Sequence, residues 1–468
     1  MKLKLLISLF LLLGFYKQSL AIEFEELTTN KGISFWFIKD STFPLVSLSF
    51  TFRGGAVLDP KNKEGSTNLM VSLLDEGTEN FSGNDFKLSL RENGTKISFS
   101  AEKDKIEGSF QVVSSQIQEG FWLLSESINK PLFEPKEIDK VKKQIVASIK
   151  IDKSNVQTQA SEKFNKLFFK ESKLSRNVKG SLSSLKNISR KDIFEMHKMN
   201  FTKDNLVIGI AGDIDSDKAK KYVDYVFGEL PMLGKKRKIP KFETLAKGEN
   251  FFEMESPQST VIFGQRGVSR KEENYFAVRI LNYILGGGGF QSRLYKEVRE
   301  KNGLVYSIYA YLIPFENDGV IIGGFQTRNE TVNETILKVK DQWNMMKKEG
   351  INARSWQGWQ IPIKTTDNHS NARILSIGTK NLEEKFLAGM QVAIIAGFQG
   401  ISTNNRVTTL GRGGSDTSAV ALAAAIKAER CDIYTDVDGI YTTDPRITSN
   451  TKKLDKISYE EMLELASL

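Results

Sequence analysis

A short run of small residues, Gly411-Arg-Gly-Gly-Ser415, stands directly before an alanine-rich stretch with helical composition. Where a helix begins, successive backbone N–H groups and the helix dipole can face an anion, and Arg412 adds a fixed positive charge. Such a turn is weak evidence by itself. A second run, Gly286–Gly289, ends a predicted helix and no P-loop lysine follows it, which indicates a helix-ending turn rather than a phosphate cradle.

Metal and thiol chemistry are limited by composition. The chain has only two histidines, His197 and His369, which lie 172 positions apart. This count and separation argue against a zinc site that needs two or three histidines close together. Cys431 is the one cysteine, so no internal disulfide can form, and we expect a small core residue there rather than a nucleophile.

The charge balance is basic, with 66 Lys and Arg against 57 Asp and Glu and a net charge of +9 over 468 residues. The densest basic run covers residues 234–240 and lies between two prolines. No aromatic platform or nucleic-acid-reading motif accompanies this run, which predicts a solvated interdomain linker and no nucleic-acid partner.

The first 21 residues, MKLKLLISLFLLLGFYKQSLA, have two early lysines, an apolar run and a small-x-small ending. This pattern predicts a secretory signal peptide with cleavage after Ala21, since the apolar run is too short to serve as an anchor. An uncleaved anchor or a buried helix is the alternative. No later segment predicts a stable membrane span, so we expect a periplasmic or secreted protein.

The elements that would position these residues change along the chain. Alternating apolar and polar residues predict strands over 33–38, 45–52, 96–100 and 106–113. Helical patterns lie between and after them, at 67–74, 84–93, 121–128, 135–151 and 189–199. Residues 205–212 predict a buried strand, and the α+β pattern ends near Leu230. A second set begins near Phe251. It predicts strands at 260–263, 306–312 and 319–326, and helices at 272–285, 292–301 and 330–349.

The composition changes near Gly350. Alanine supplies 10 of the first 350 residues and 12 of the last 118. The last 118 residues carry 13 basic and 13 acidic side chains, so the whole charge excess belongs to the front. Two differently built sequences meet here without a Pro/Gly/Ser linker, which predicts a boundary.

Residues 24–350 resemble the insulinase-type (pitrilysin-like) inverzincin peptidase family. The stretches that carry the resemblance are 52–60, 65–78, 205–215 and 286–307. The resemblance implies one insulinase-type domain followed by a truncated second copy. In that family a helix bears H-x-x-E-H, in which two histidines bind zinc and the glutamate activates water. Here Asn68, Val71 and Ser72 hold those three positions.

Asparagine and serine are poor zinc ligands, and valine cannot accept a proton. The resemblance therefore implies a zinc-free partner subunit with no autonomous peptidase activity and no cofactor. Arg299 and Tyr306 match the family's pair that holds the substrate backbone and stabilises the oxyanion on the partner's zinc-bound peptide. A guanidinium and a phenol can both donate hydrogen bonds to a carbonyl oxygen. The alternative is a solvated helical arginine and a tyrosine in the strand core.

Residues 351–468 resemble bacterial aspartokinases of the amino acid kinase family, on the stretches 406–417, 431–446 and 453–467. The resemblance implies an internal fragment of the α/β amino acid kinase fold. It places Arg412, Gly413, Gly414 and Ser415 at the substrate and phosphate region. It also implies ATP, with Mg, beside four residues: Thr435, Asp436, Tyr441 and Arg446.

Two features of the tail weaken the kinase interpretation. Asp436, Asp438 and Asp444 also flank Gly439 and Pro445 as turn-forming residues would. The family's Lys-Phe-Gly-Gly-Thr-Ser string, whose lysine meets the transferring phosphate, occurs nowhere in the sequence. Because phosphoryl transfer depends on positioning and charge neutralisation, we expect negligible turnover.

These observations predict a chimeric chain. Its parts are a signal peptide (1–21), an insulinase-like domain (22–231), a linker (232–250), a truncated second insulinase-like domain (251–350) and an aspartokinase fragment (351–468). The expected partners are a zinc-bearing peptidase homologue and a peptide. A functional aspartate kinase, which makes 4-phospho-L-aspartate from ATP and L-aspartate, is the alternative, although that family is cytoplasmic.

Overall fold

The computed structural model describes residues 24–232, 248–348, 353–356, 360–369, 371–390, 392–411, 414–433, 441–443 and 451–458. The predicted signal peptide and most of the predicted linker lie outside these ranges. The chain divides into two compact units. The first extends to Trp356 and includes Lys385–Ile395, and the second combines Gln357–Glu384 with the residues from Ala396 onward.

The first unit begins with a six-stranded sheet in the order β1-β2-β6-β3-β5-β4. β2 and β6 run parallel, and every other neighbouring pair is antiparallel. Every second residue of β3 is buried, as the alternating sequence predicts for a strand with one face on a core. The strands are β1 (Phe24–Thr28), β2 (Ser34–Lys39), β3 (Leu45–Arg53), β4 (Lys96–Ala101), β5 (Lys105–Val113) and β6 (Leu206–Gly212).

Helices cover this sheet, and most lie where the pattern predicts them. Val156–Phe169 was not predicted, because its first turns are rich in Gln, Thr, Ser and Asn and show little apolar periodicity. Its Asn155 cap accepts a hydrogen bond from the Thr158 N–H at 2.9 Å. The helices are α1 (Ser66–Val71), α2 (Gly83–Glu92), α3 (Ile117–Asn129), α4 (Pro135–Ser154), α5 (Val156–Phe169), α6 (Leu182–Lys186), α7 (Arg190–Asn200) and α8 (Ser216–Phe227).

Phenylalanine rings fill much of the core beneath this sheet. The Phe50 ring lies 5.9 Å from Phe52 and 5.3 Å from Phe227, both edge-on, and Phe52 lies 4.6 Å from Phe201. All four side chains are almost fully buried. Edge-to-face packing of this kind stabilises a core beyond simple burial. The phenylalanine-rich composition of the front is thus used for packing.

A second, three-stranded antiparallel sheet follows, in the order β7-β9-β8. Its elements follow the same order as those of the first sheet from β3 onward: a strand, two helical segments, two strands and a helix. Its core includes Leu294, Val298, Ala310 and Phe325. The strands are β7 (Gln258–Arg266), β8 (Val305–Pro314) and β9 (Gly319–Arg328), and the helices are α9 (Tyr275–Asn282) and α10 (Val332–Lys348). Two wide π-helical segments, Tyr283–Gly287 and Tyr295–Lys301, lie between α9 and β8.

Within the first unit the two sheets share a small apolar cluster. Phe169 contacts Phe315 edge-on with ring centres 5.9 Å apart. Val57 from the first half and Val320 from the second belong to the same cluster. The Glu316 N–H donates to Asp104 Oδ2 at 2.8 Å. The helix α5 therefore joins the halves, because it supplies Phe168 and Phe169 to this cluster.

After α10 the elements are short. Ala353–Trp356 (β10) pairs in parallel with Val392–Ile395 (β13). The second unit contains a four-stranded sheet in the order β12-β11-β14-β15. Its strands are β11 (Ile363–Thr365), β12 (Ile374–Ile377), β14 (Gln399–Ser402) and β15 (Val407–Thr409); two helices, α11 (Lys380–Leu387) and α12 (Gly414–Ala425), also follow residue 356.

The mixed fold agrees with the predicted α+β front and α/β tail, but one prediction about packing is wrong. Cys431 is exposed rather than a small core residue. It lies beyond the end of α12, where residues 428–433 form neither helix nor strand, so no regular element carries it into a core. Among the described residues, no helix combines the length and apolar character needed to cross a bilayer.

Candidate functional site

The helix α1 carries the three positions where the insulinase motif would place its ligands and base. Asp59 caps this helix: its carboxylate accepts hydrogen bonds from the Gly65 N–H at 2.7 Å, the Thr67 N–H at 2.9 Å and the Thr67 hydroxyl at 2.6 Å. Burial raises the pKa of Asp59 to about 6, while the hydrogen bonds from Thr67 and Gly65 oppose that rise. The cap fixes where α1 begins.

Asn68 and Ser72 lie one turn apart and are half-buried, whereas Val71 is 4% exposed and belongs to the core. The Ser72 hydroxyl donates to the Asn68 carbonyl oxygen at 2.8 Å. Ser72 thus closes the end of the helix rather than facing a shared centre. A carbonamide, an isopropyl group and an engaged hydroxyl do not make a zinc-binding set, so these residues do not fit the metal.

The carboxylates that follow α1 are engaged with lysines. Glu76 contacts Lys87 and Lys140, each at 2.6 Å, and Lys140 also contacts Glu137 at 2.8 Å. Burial raises the pKa of Glu76, but hydrogen bonds and charge from Lys140 and Lys87 outweigh it and the net direction is downward. Among the described residues, no three His, Cys, Asp or Glu side chains converge as a metal site would require.

Arg299 and Tyr306 are brought together. Arg299 lies in the π-helical segment Tyr295–Lys301, and its guanidinium carbon is 5.1 Å from the centre of the Tyr306 ring. The same carbon is 4.7 Å from the centre of the Tyr295 ring, and Arg299 Nη1 donates to the Tyr295 hydroxyl. Such distances are typical of cation–π contacts.

A bulge in β8 exposes Tyr306. The register with β9 shifts between Val305 and Ile308, so both Tyr306 and Ser307 point away from the core. Tyr306 is 84% exposed, which excludes the alternative of a tyrosine in the strand core. The segment that carries Arg299 is π-helical, a geometry that is often found at functional sites.

Tyr295 was missed by the sequence reasoning, although it precedes Arg299 by four residues, a spacing that places two side chains on one helical face. The Phe290 ring, 70% exposed, contacts the Tyr295 ring edge-on at 4.9 Å. The group formed by Phe290, Tyr295, Arg299 and Tyr306 is called the aromatic–arginine cluster below.

The glycine run Gly286–Gly289 ends the helical segment as predicted, with Gly289 at φ +55°. A Cβ on Gly286 would lie 2.7 Å from the Ala310 Cβ. The glycine is therefore needed for close packing of helix on strand.

Only part of the predicted tail site lies within the described residues. Arg412, Gly413, Thr435, Asp436 and Arg446 are outside them. Gly414 and Ser415 begin α12, as predicted, and Gly414 is buried. A Cβ on Gly414 would lie 2.8 Å from the Leu410 Cβ, so packing also accounts for this glycine. Tyr441 forms an isolated antiparallel bridge with Lys453.

Different segments of the chain match different protein families. Residues 36–203 match the family described as insulinase (peptidase family M16), and residues 187–358 match the peptidase M16 inactive domain. Residues 284–468 match the amino acid kinase family. The last two matches overlap over residues 284–358.

Solved structures resemble the front. A peptidase M16 inactive domain from Pseudomonas fluorescens is 26% identical, with a TM-score of 0.65 over 70% of this chain and 80% of the other. A protease from Helicobacter pylori shares the fold at 15% identity and a TM-score of 0.59, over 70% of this chain and 84% of the other.

Curated relatives resemble the tail. The aspartokinase of Rickettsia conorii is 59% identical over 122 residues, which are 26% of this chain and 30% of that protein. The aspartokinase of Pseudomonas aeruginosa is 45% identical over 166 residues, or 36% of this chain and 38% of that protein. The chain thus spans about a third of the length of these relatives. In this one chimeric chain, the front resembles insulinase-type (M16) peptidases with their inactive domain, and the tail resembles part of an aspartokinase.

Proposed function

We propose that the front of the chain is the zinc-free, peptide-binding subunit of a periplasmic insulinase-type peptidase and works beside a zinc-bearing homologue. The observation that carries this proposal is the exposed Tyr306 held against Arg299, in a chain whose α1 offers Asn68, Val71 and Ser72 in place of zinc ligands. The likeness of residues 187–358 to the M16 inactive domain supports it.

The aromatic–arginine cluster suits a peptide carbonyl. Arg299 donates one N–H to Tyr295 and keeps further donors on the same planar fork. The exposed phenol of Tyr306 can donate a second hydrogen bond to the same oxygen. Two donors fixed before substrate arrives stabilise negative charge on a carbonyl oxygen without reorganisation. The hydrolytic water and the metal would belong to the partner.

The test is reconstitution of peptide cleavage. The purified chain is mixed with a zinc-bearing M16 homologue, and cleavage of a quenched fluorescent peptide library is measured. We expect cleavage to require both proteins. Arg299→Met and Tyr306→Phe each remove a donor and should each lower kcat/KM by about a hundredfold, as for the loss of an oxyanion donor. Lys301→Ala is the matched control, because Lys301 is exposed and pairs only with Glu297 within the described residues. Equal activity of the mixtures made with the parent chain and with each of the three variants would contradict the proposal.

The proposal that the protein is exported rests on its first 21 residues alone. If they are a signal peptide, the mature protein purified from the periplasmic fraction begins at Ile22. Edman sequencing of the mature chain decides this. A chain that retains Met1 in the membrane fraction would instead indicate an uncleaved anchor.

For the tail we propose a partial aspartate kinase site that binds ATP with Mg but has negligible turnover. The likeness to aspartokinases supports the binding part, and the missing Lys-Phe-Gly-Gly-Thr-Ser string supports the loss of turnover. Calorimetry with ATP and Mg tests binding, and trapping of acyl phosphate as hydroxamate tests activity. Sustained aspartate-dependent hydroxamate formation would favour the alternative, a functional aspartate kinase.

We also propose that the chain joins pieces of two unrelated genes near residue 350. The change in alanine content and charge at this position supports a junction. Continuous DNA reads across codons 345–360 test it. An unbroken reading frame in independent reads would establish a real fusion, whereas a break would separate two genes.

A further inference from the structure

The outer edge of β7 has no partner strand within the part of the chain that the structure describes. β3, which holds the corresponding place in the first sheet, pairs with β5 on one edge and with β6 on the other. β7 pairs with β9 alone among the strands that the structure describes. Every residue from Gln258 to Arg266 is half or fully exposed, whereas β3 buries every second residue.

Each face of β7 nevertheless has an aromatic neighbour. On one face Phe263 contacts the Trp343 ring edge-on at 5.8 Å. On the other, the Phe164 ring of α5 approaches Gly264 so closely that a Cβ there would lie 2.9 Å from it. Neighbours on both faces and the central Val-Ile-Phe run are typical of an interior strand. In the described ranges, a strand built like an interior one thus has one unpaired edge.

Other edges of the two sheets carry features that discourage pairing. β1 has Glu25 and Glu26, β4 begins with Lys96, and β8 has a bulge and ends at Pro314. Charges, bulges and proline are the usual protection of sheet edges. Between Gln258 and Gln265, β7 has no charged residue and no proline.

The sequence of β7 is complementary to itself in one antiparallel register. With Ile262 on a two-fold axis, Ile262 faces its own copy, Val261 faces Phe263, and Thr260 faces Gly264. Ser259 then faces Gln265, and Gln258 faces Arg266. Apolar pairs occupy the centre, polar pairs the ends, and no like charges meet, which is the pattern that stabilises cross-strand pairs.

We propose that β7 is a dimerisation edge that pairs antiparallel with β7 of a second copy of this chain, with Ile262 on the two-fold axis. The pairing makes one continuous six-stranded sheet in the order β8-β9-β7-β7-β9-β8. It satisfies the outward backbone groups of both β7 strands, which an isolated edge leaves to water. An axis perpendicular to the sheet keeps each face on its own side, so Val261 and Phe263 of both copies share one face.

Site-specific cross-linking tests the register. In a Cys431→Ser background, Ile262→Cys places two thiols directly opposite each other, with Cα atoms about 4.5–5.5 Å apart, within disulfide range. Thr260→Cys is the matched control, because its two copies lie four residues apart along the sheet, about 14 Å. We expect disulfide-linked dimers from the first variant and none from the second. Equal cross-linking of both variants would overturn the register.

Sedimentation velocity of the full chain tests the dimer itself. We expect a dimer at micromolar concentration, and Ile262→Lys should weaken it by at least about tenfold because two like charges would face each other. Ile313→Lys adds the same charge to β8, the opposite edge of the sheet, and should leave the dimer unchanged. A chain that is monomeric at every concentration would overturn the proposal, as would a dimer indifferent to lysine at 262. Pairing of β7 with a peptide or with another part of its own chain would give that monomeric result.

Discussion

Arg299 lies against the ring of Tyr306, with its guanidinium carbon 5.1 Å from the ring centre. The contact requires both the π-helical segment that carries Arg299 and the bulge in β8 that turns Tyr306 outward. Arg299 is not held by Tyr306 alone, since it also contacts the Tyr295 ring and donates to the Tyr295 hydroxyl. A cation in contact with two rings loses freedom but keeps its charge, which prepares it to meet a carbonyl oxygen.

Tyr295 should therefore act as a positioning residue in the reconstituted peptidase. Tyr295→Phe keeps the ring and removes the oxygen that accepts a hydrogen bond from Arg299. We expect kcat/KM of the mixture to fall about fivefold, as for loss of about 1 kcal/mol of hydrogen bonding. Tyr295→Ala should cost more, because it also removes the cation–π contact.

A role in positioning also predicts which kinetic constant changes. The change should appear in kcat with little change in KM, because the interaction gains strength as charge develops on the carbonyl oxygen. Circular dichroism of both variants should match the parent. A loss that follows the amount of folded protein would indicate a structural role only.

The strands and most helices could be predicted, because apolar periodicity is strong wherever one face is buried. The exposure of Tyr306 could not be: alternation places every second residue of β8 outward, and a bulge that inserts one residue leaves no reliable mark in the sequence. Cys431 was misplaced for a different reason, since residue type predicts burial only on average. The substitutions at Asn68, Val71 and Ser72 needed no structure.

His197 makes the stability of the first unit depend on pH. Burial lowers the pKa of His197 below its ordinary 6.5, although its hydrogen bond with the Ile128 carbonyl opposes this. Its Nε2 lies 2.8 Å from that oxygen, and its ring stacks on Phe201 with centres 4.8 Å apart. Below pH 6.5 the unfolded chain binds a proton that the folded chain resists.

The stability contributed by neutral His197 is thus complete above pH 6.5 and is lost as the pH falls from there through the folded pKa. Urea unfolding followed by circular dichroism at a series of pH values measures this. His197→Gln keeps an N–H donor for Ile128 and removes the titration, so its curve should be flatter below pH 6.5. Parallel curves for the two proteins would contradict the assignment.

Removal of the Asp318 carboxylate, in the turn between β8 and β9, should lower the free energy of unfolding. Asp318 is 1% exposed and accepts two hydrogen bonds from Arg266, at 3.0 and 2.9 Å, and one from the Gly319 N–H at 3.0 Å. Asp318→Ala leaves the Gly319 amide unsatisfied in the β8–β9 turn. We expect a loss of about 2 kcal/mol in the free energy of unfolding. Glu297→Gln breaks an exposed pair with Lys301 and should change the free energy by less than about 0.5 kcal/mol.

Gly108 is required by the ring opposite it. In the β3–β5 register Gly108 faces Phe50, and a Cβ on Gly108 would lie 2.1 Å from the Phe50 Cζ. The ring cannot move aside cheaply, because Phe52, Phe99 and Phe227 surround it with centres 5.3–5.9 Å away. Gly108→Ala should lower the free energy of unfolding by about 2 kcal/mol through overpacking.

A neighbouring glycine in the same sheet supplies the control. Gly209 lies in β6, one strand beyond β3, and a Cβ there would meet no atom within 4 Å. Gly209→Ala should be neutral, or stabilise by up to about 1 kcal/mol, because it restricts the unfolded chain without a clash. The two substitutions add the same methyl group, so a difference between the urea unfolding midpoints of the two variants reports the clash with Phe50. A matching loss in both would mean that helix or strand propensity, and not the Phe50 ring, sets the cost at Gly108.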